Sequence, residues 1–105
     1  MNGYEEYCES MRARLPGFDT ISKARVGIAG LGGLGSHVAM MLARTGVGYL
    51  RIVDFDTVDA CNINRQNYYR SDIGKLKTDA TKEHLEAANP YIRIEAENVK
   101  LAQSN

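Results

Sequence analysis

A short apolar run that opens directly into glycines constrains this chain more than any other feature. Val26-Gly27-Ile28-Ala29 is followed at once by Gly30-Leu31-Gly32-Gly33-Leu34-Gly35, and the apolar positions Leu34, Val38, Met41 and Leu42 then recur at helical spacing. Such a run reads as a strand buried on both faces, as in a parallel sheet. Gly30 supplies the sharp turn, Gly32 and Gly33 a surface free of Cβ atoms, and Gly35 the close packing of helix on strand. The free N–H groups and positive end of the helix then face any anion at the loop. Asp54 falls nineteen residues after Gly35, at the end of a second apolar run, Tyr49-Leu50-Arg51-Ile52-Val53. A carboxylate there can accept hydrogen bonds from ribose hydroxyls. Together these features mark a nucleotide site without separating ATP from NAD, since both present adenosine ribose and phosphates to the same loop.

The remaining segments extend the alternation. Tyr4, Tyr7, Cys8, Met11 and Leu15 line one side of a helix that Pro16-Gly17 ends, and Gly46 stops the helix that began near Gly33. A further helix is expected from Lys75 to Ala88, closed by Asn89-Pro90, and a third strand from Tyr91 to Val99. The order β-α-β-(long loop)-α-β predicts an α/β, Rossmann-like parallel sheet with right-handed crossovers, the first half of a doubly wound fold. Residues 1–22 read as an N-terminal helical segment and 23–105 as the nucleotide-binding domain. The first strand of a doubly wound sheet is central, so Val26–Ala29 is expected to carry a bare edge here, with one sheet face lacking its helices. On that reading the chain is a piece whose other half is supplied elsewhere, and it is weak or inactive alone.

Thirteen basic residues balance thirteen acidic ones, which removes any whole-chain case for nucleic acid. The N-terminus is acidic (Tyr4-Glu5-Glu6-Tyr7), unlike a secretory signal. The longest unbroken apolar run, Val38–Ala43, falls far short of the ~20 residues that span a bilayer. A cytoplasmic protein without a membrane partner is expected. Cys8 and Cys61 lack metal-ligand spacing and read as reduced thiols, and no metal site is expected from the side chains.

Residues 55–70 lack periodicity and are rich in Asn and Asp, and long loops of this kind are commonly functional. Arg65 offers a planar fork and Lys77 a point charge at a helix start. With the glycine loop they could surround one polyphosphate, which suits cleavage of ATP between its α- and β-phosphates. The ordered set Gly30–Ser36, then Asp54-Phe55-Asp56 with Asn62, Arg65 and Gln66, then Ile73-Gly74-Lys75 with Lys77 and Asn89-Pro90, resembles the ThiF/MoeB family of sulfur-carrier adenylyltransferases, relatives of the ubiquitin-activating enzymes. The similarity runs from about Lys23 to Tyr91, and the nearest-looking branch is the short bacterial ThiF type of thiamine biosynthesis. The resemblance implies that Asp54 holds the ATP ribose. It implies too that Asn62, Arg65, Gln66 and Lys77 line the phosphate tail, Arg65 and Lys77 bearing most of the charge. It further implies Mg²⁺ on the phosphates, a small ubiquitin-like carrier protein ending in Gly-Gly as substrate, and a homodimer.

Plainer readings stand beside these. Asp56 is either a ligand-contacting acid or a turn cap. Cys61 stands where the family usually shows Ser and reads as a tolerated small residue. His37 and His84 read as structural or surface residues, Tyr68 and Tyr69 as packing or as a cover over the site, and Arg12 and Arg14 as surface charge. Two other functions remain open from the residues: a non-catalytic nucleotide-binding or dimerisation module, and a fragment of an NAD-linked dehydrogenase, which would have no use for Arg65.

Overall fold

Three short strands alternate apolar and polar residues, and that alternation decides the architecture. In the computed structural model, which describes residues 2–100, β1 (Arg25–Ala29), β2 (Tyr49–Asp54) and β3 (Arg93–Asn98) form one parallel sheet in the order β1-β2-β3. The pairing sets Val26 beside Leu50, Ile28 beside Ile52, and Leu50 and Ile52 beside Ile94 and Ala96. Because successive Cβ atoms point to opposite faces, these residues make one apolar face. The helices α3 (Gly35–Thr45) and α4 (Lys77–Ala88) each follow a strand and cover that face. Ala39, Ala43, Leu50, Ile52 and Leu85 are fully buried there. Burying one Leu or Ile side chain contributes about 1.5–3 kcal/mol.

The opposite face is polar. Arg25, Arg51 and Arg93 are exposed, with Tyr49, Glu95 and Glu97 half-buried between them. The Arg25 guanidinium lies 4.1 Å from the centroid of the Tyr49 ring, and Arg51 and Arg93 pair with Glu97 at 2.6 Å and Glu95 at 2.8 Å. The expectation that Val26–Ala29 is buried on both faces therefore fails. Arg25, Gly27 and Ala29 are exposed, because among the described residues no helix covers their side. Among those residues β1 also has β2 as its sole neighbour, leaving a bare edge as expected.

Local hydrogen bonds move several boundaries. The helix expected from Lys75 starts at Lys77 because Leu76 is held extended in a bridge to Thr57. The third strand is shorter than the expected 91–99, and residues 101–105 of the expected domain lie outside the described residues. The aperiodic stretch 55–70 contains a 3₁₀ turn, Ala60–Asn64, and leads into another, Arg70–Asp72. At the N-terminus, α1 (Gly3–Arg14) is capped by the Asn2 side chain, and a short helix that periodicity did not reveal, α2 (Phe18–Ile21), follows the expected break. This segment packs onto the rest: Tyr7 lies against Phe18 and Tyr91, and the buried Asn89 side chain donates to both the Tyr7 hydroxyl and the Ala43 carbonyl at 2.9 Å.

Candidate nucleotide-binding site

The site forms where β1 ends. Gly30 adopts φ +89°, a region that L side chains rarely enter, and its N–H donates to the Val53 carbonyl at 2.8 Å. Five residues on, a Cβ placed on Gly35 would lie 1.9 Å from the Gly30 carbonyl oxygen. No side chain fits, so α3 starts as close to β1 as the backbone allows. A Cβ on Gly33 would meet the Arg65 guanidinium at 3.5 Å, and one on Gly32 the Gln66 carboxamide at 3.9 Å. The Cβ-free surface of the loop thus faces the two residues singled out in the long connection.

Asp54 ends β2 beside the loop. One carboxylate oxygen accepts the Leu31 N–H at 2.6 Å and the other the Asp56 N–H at 2.8 Å. Each oxygen has two lone pairs, so the group still has acceptor capacity. A cleft of ≈ 370 Å³ opens over the strand ends, lined among others by Gly30, Asp54, Asp56 and the exposed Phe55.

Of the two cations, Arg65 faces Gly33 and Lys77 faces Asp56. Lys77 is the first residue of α4; its side chain is 8% exposed and its ammonium lies 3.9 Å from the Asp56 carboxylate. Asp56 also accepts the Lys77 N–H through its backbone carbonyl, so it is both turn residue and charge partner. The Arg65 side chain is exposed and has no ion-pair partner among the described residues. Gln66 is buried, and its carbonyl oxygen finds no hydrogen-bond partner among them; leaving such a group unpaired costs about 1–3 kcal/mol. Asn62 lies apart in role. Its side-chain oxygen accepts the Asp59 N–H at 2.8 Å and closes the cap of the first 3₁₀ turn, while its amide nitrogen donates to the Cys61 sulfur at 3.9 Å.

Several residues that were given no ligand role in the sequence hold this geometry. The Ser36 hydroxyl donates to the Gly32 carbonyl and accepts the Asn67 N–H at 3.0 Å, tying loop to connection. His37 Nε2 lies 3.0 Å from the Arg65 carbonyl oxygen. Tyr68, read from sequence as packing, is buried but also donates its hydroxyl to the Leu31 carbonyl at 2.7 Å and lies 3.2 Å from the Thr81 hydroxyl. Burial pushes its pKa up to about 12, the Thr81 hydrogen bond opposing, so the hydroxyl keeps its proton. Behind Lys77, the buried Asp72 carboxylate accepts from His84 at 2.7 Å and from the Tyr69 N–H at 2.8 Å. Burial alone would raise the Asp72 pKa. The His84 hydrogen bond, the Tyr69 N–H and the nearby charges of His84 and Lys75 outweigh it, and the carboxyl is held below its usual range. Cys8 is buried, Cys61 exposed, and both are free thiols.

A parallel sheet with a glycine turn after its first strand and an acid at the next strand end defines a Rossmann-like α/β fold. The ThiF family model matches residues 7–105, and the chain belongs to the ThiF family. The probable adenylyltransferase/sulfurtransferase MoeZ of Mycobacterium tuberculosis is 41% identical over 86 residues, 81% of this chain and 22% of the relative. Ubiquitin-like modifier-activating enzyme 5 of Dictyostelium discoideum is 40% identical over 84 residues, 80% of this chain and 22% of the relative. Among solved structures, Escherichia coli tRNA N6-threonylcarbamoyladenosine dehydratase, TcdA, in complex with ATP superposes with a TM-score of 0.86 at 28% identity, over 96% of this chain and 42% of that one. E. coli MccB with AMPCPP and MccA gives a TM-score of 0.79 at 32% identity, over 82% and 26%. The chain thus spans about a fifth of the length of these curated relatives.

Proposed function

We propose that this chain is the nucleotide-binding part of an ATP-dependent adenylyltransferase acting on the C-terminal glycine carboxylate of a small ubiquitin-like sulfur carrier. The observation that carries this reading is the second set of charges. The Arg65 guanidinium, without an ion-pair partner among the described residues, stands over Gly33, while Lys77 lies against Asp56 at the edge of the cleft. A dinucleotide places its pyrophosphate on the glycine amides and needs no such pair. A triphosphate tail that must depart as pyrophosphate does. The names of the relatives and the ATP and AMPCPP in the TcdA and MccB structures support the same choice.

In the proposed reaction a carrier carboxylate oxygen attacks the α-phosphorus of ATP, and the bond from that phosphorus to the bridging oxygen of the β-phosphate breaks. The products are an acyl-adenylate and pyrophosphate. Asp54 accepts from the ribose hydroxyls, the Gly32 and Gly33 amides and Gln66 meet the phosphates, and Arg65 and Lys77 take up the charge gathering on the leaving group. Asn62 contributes its amide nitrogen and fixes the turn that presents Arg65. Mg²⁺ on the phosphates would lower their charge. Among the described residues, however, no group of three His, Cys, Asp or Glu is placed to hold an ion. The branch we favour is the ThiF type serving thiamine biosynthesis, working as a cytoplasmic homodimer on a carrier ending in Gly-Gly.

ATP–pyrophosphate exchange by the protein expressed from its complete reading frame tests the reading. Arg65→Ala and Lys77→Ala should each lower exchange by about 10²–10³-fold with an unchanged circular dichroism spectrum. Undiminished exchange in either variant would overturn that residue's role. ATP binding without any exchange in the parent protein would favour a non-catalytic nucleotide-binding module.

A further inference from the structure

Two hydroxyls sit behind the glycine loop, and each grips a carbonyl whose peptide partner is one of the loop's free amides. The Tyr68 hydroxyl donates to the Leu31 carbonyl at 2.7 Å, and the Ser36 hydroxyl donates to the Gly32 carbonyl. The chain has no cis peptide among the described residues. In a planar trans peptide the C=O and the following N–H point in opposite directions. Fastening the Leu31 carbonyl inward therefore turns the Gly32 N–H outward, and fastening the Gly32 carbonyl does the same for the Gly33 N–H. They belong to the two glycines whose Cβ-free sides face Gln66 and Arg65.

Tyr68 adds a second connection. Its hydroxyl also meets Thr81 at 3.2 Å, on the helix that begins with Lys77. Its ring is buried with Val58 and Ala80, so it cannot swing away without opening that cluster. The N–H of Leu31 is held in turn by Asp54 at 2.6 Å, which clamps this residue on both sides.

We propose that Tyr68 is a positioning residue for polyphosphate binding: its hydroxyl aims the Gly32 amide at the phosphates and holds the loop at a set distance from the Lys77 helix. This rests on the nucleotide reading above and deepens it, since it assigns phosphate recognition to a side chain that does not touch the ligand. Ser36 performs the same service for the Gly33 amide.

Tyr68→Phe keeps the ring and removes the hydroxyl. Calorimetric titration of the full-length protein with ATP and with adenosine is the test. The variant should bind ATP about tenfold more weakly, as expected for one misaimed, unsatisfied buried group, and bind adenosine as the parent does. A purely structural tyrosine would lower the thermal midpoint and leave the ATP-to-adenosine ratio unchanged, and that result would overturn the proposal. Should the variant not fold, the parent protein gives the answer by ¹⁵N–¹H spectroscopy. ATP, but not adenosine, should shift the Gly32 and Gly33 amides strongly, and static amides would overturn it. If the parent does not prefer ATP to adenosine, the nucleotide reading itself has failed, and that titration alone tells the two failures apart.

Discussion

The two faces of the sheet come from the same three strands, one residue apart, and they could hardly differ more. One carries Val26, Ile28, Leu50, Ile52 and Ile94 under two helices, and the other carries Arg25, Tyr49, Arg51, Arg93, Glu95 and Glu97 in rows of paired charges. Both use cross-strand neighbours. On the covered face the neighbours exclude water, and stability scales with the area buried. On the open face the partners stay hydrated, and pairing adds little. The candidate site belongs to neither face. It sits at the strand ends, where backbone groups are unpaired and side chains from both helices arrive.

The contrast can be broken by substitution. Ile52→Ala on the covered face should cost about 2–5 kcal/mol in urea unfolding, because Ile52 is fully buried at the centre of the core. An intermediate case is the Asp72–His84 pair, a hydrogen-bonded contact whose carboxylate side chain is 2% exposed. Its carboxyl is held below the usual range, so it stabilises the fold above the ordinary Asp pKa of about 3.9 and loses that contribution as pH falls through the lower folded value. His84→Ala should therefore cost about 1–3 kcal/mol near pH 7. Its gap from the parent in urea midpoint should shrink as pH is lowered towards about 2. The smallest effect belongs to the open face, where Arg51→Ala should leave the urea midpoint within error. If Arg51→Ala instead matches Ile52→Ala in a full-length protein, the charged face is buried there by something else, and the distinction drawn between the faces dissolves.

Much of this was legible in the chain. The glycine spacing, Asp54 and the alternation of strands with helices are local patterns, and each appears where expected. The expectation of a strand buried on both faces failed, and it stood against the other expectation drawn from the same chain, a sheet face lacking its helices. Four residues, two of them Gly and Ala, carry too little information to distinguish a covered side from an open one. The role of Tyr68 was hidden for another reason. Its partner Leu31 lies 37 residues away, and nothing in the neighbouring sequence distinguishes a tyrosine that grips a carbonyl from one that fills space. Asp72 and His84 escaped notice likewise, because their contact crosses from a 3₁₀ turn to the third turn of a helix. Ser36 was nearer to hand, since a hydroxyl directly after the last glycine is positioned to reach back to the loop.

The buried amide of Asn89 carries a consequence for how the chain assembles. It joins Tyr7 to a residue 82 positions later, and Tyr91 stacks on Tyr7 beside it. Helix α1 is made before the residues it docks against, and its docking site is not finished until Asn89 and Tyr91 have been made. Contacts of such separation slow folding, because the intervening chain must be ordered before they form. Helix α1 thus completes its packing only with residues that lie just before β3.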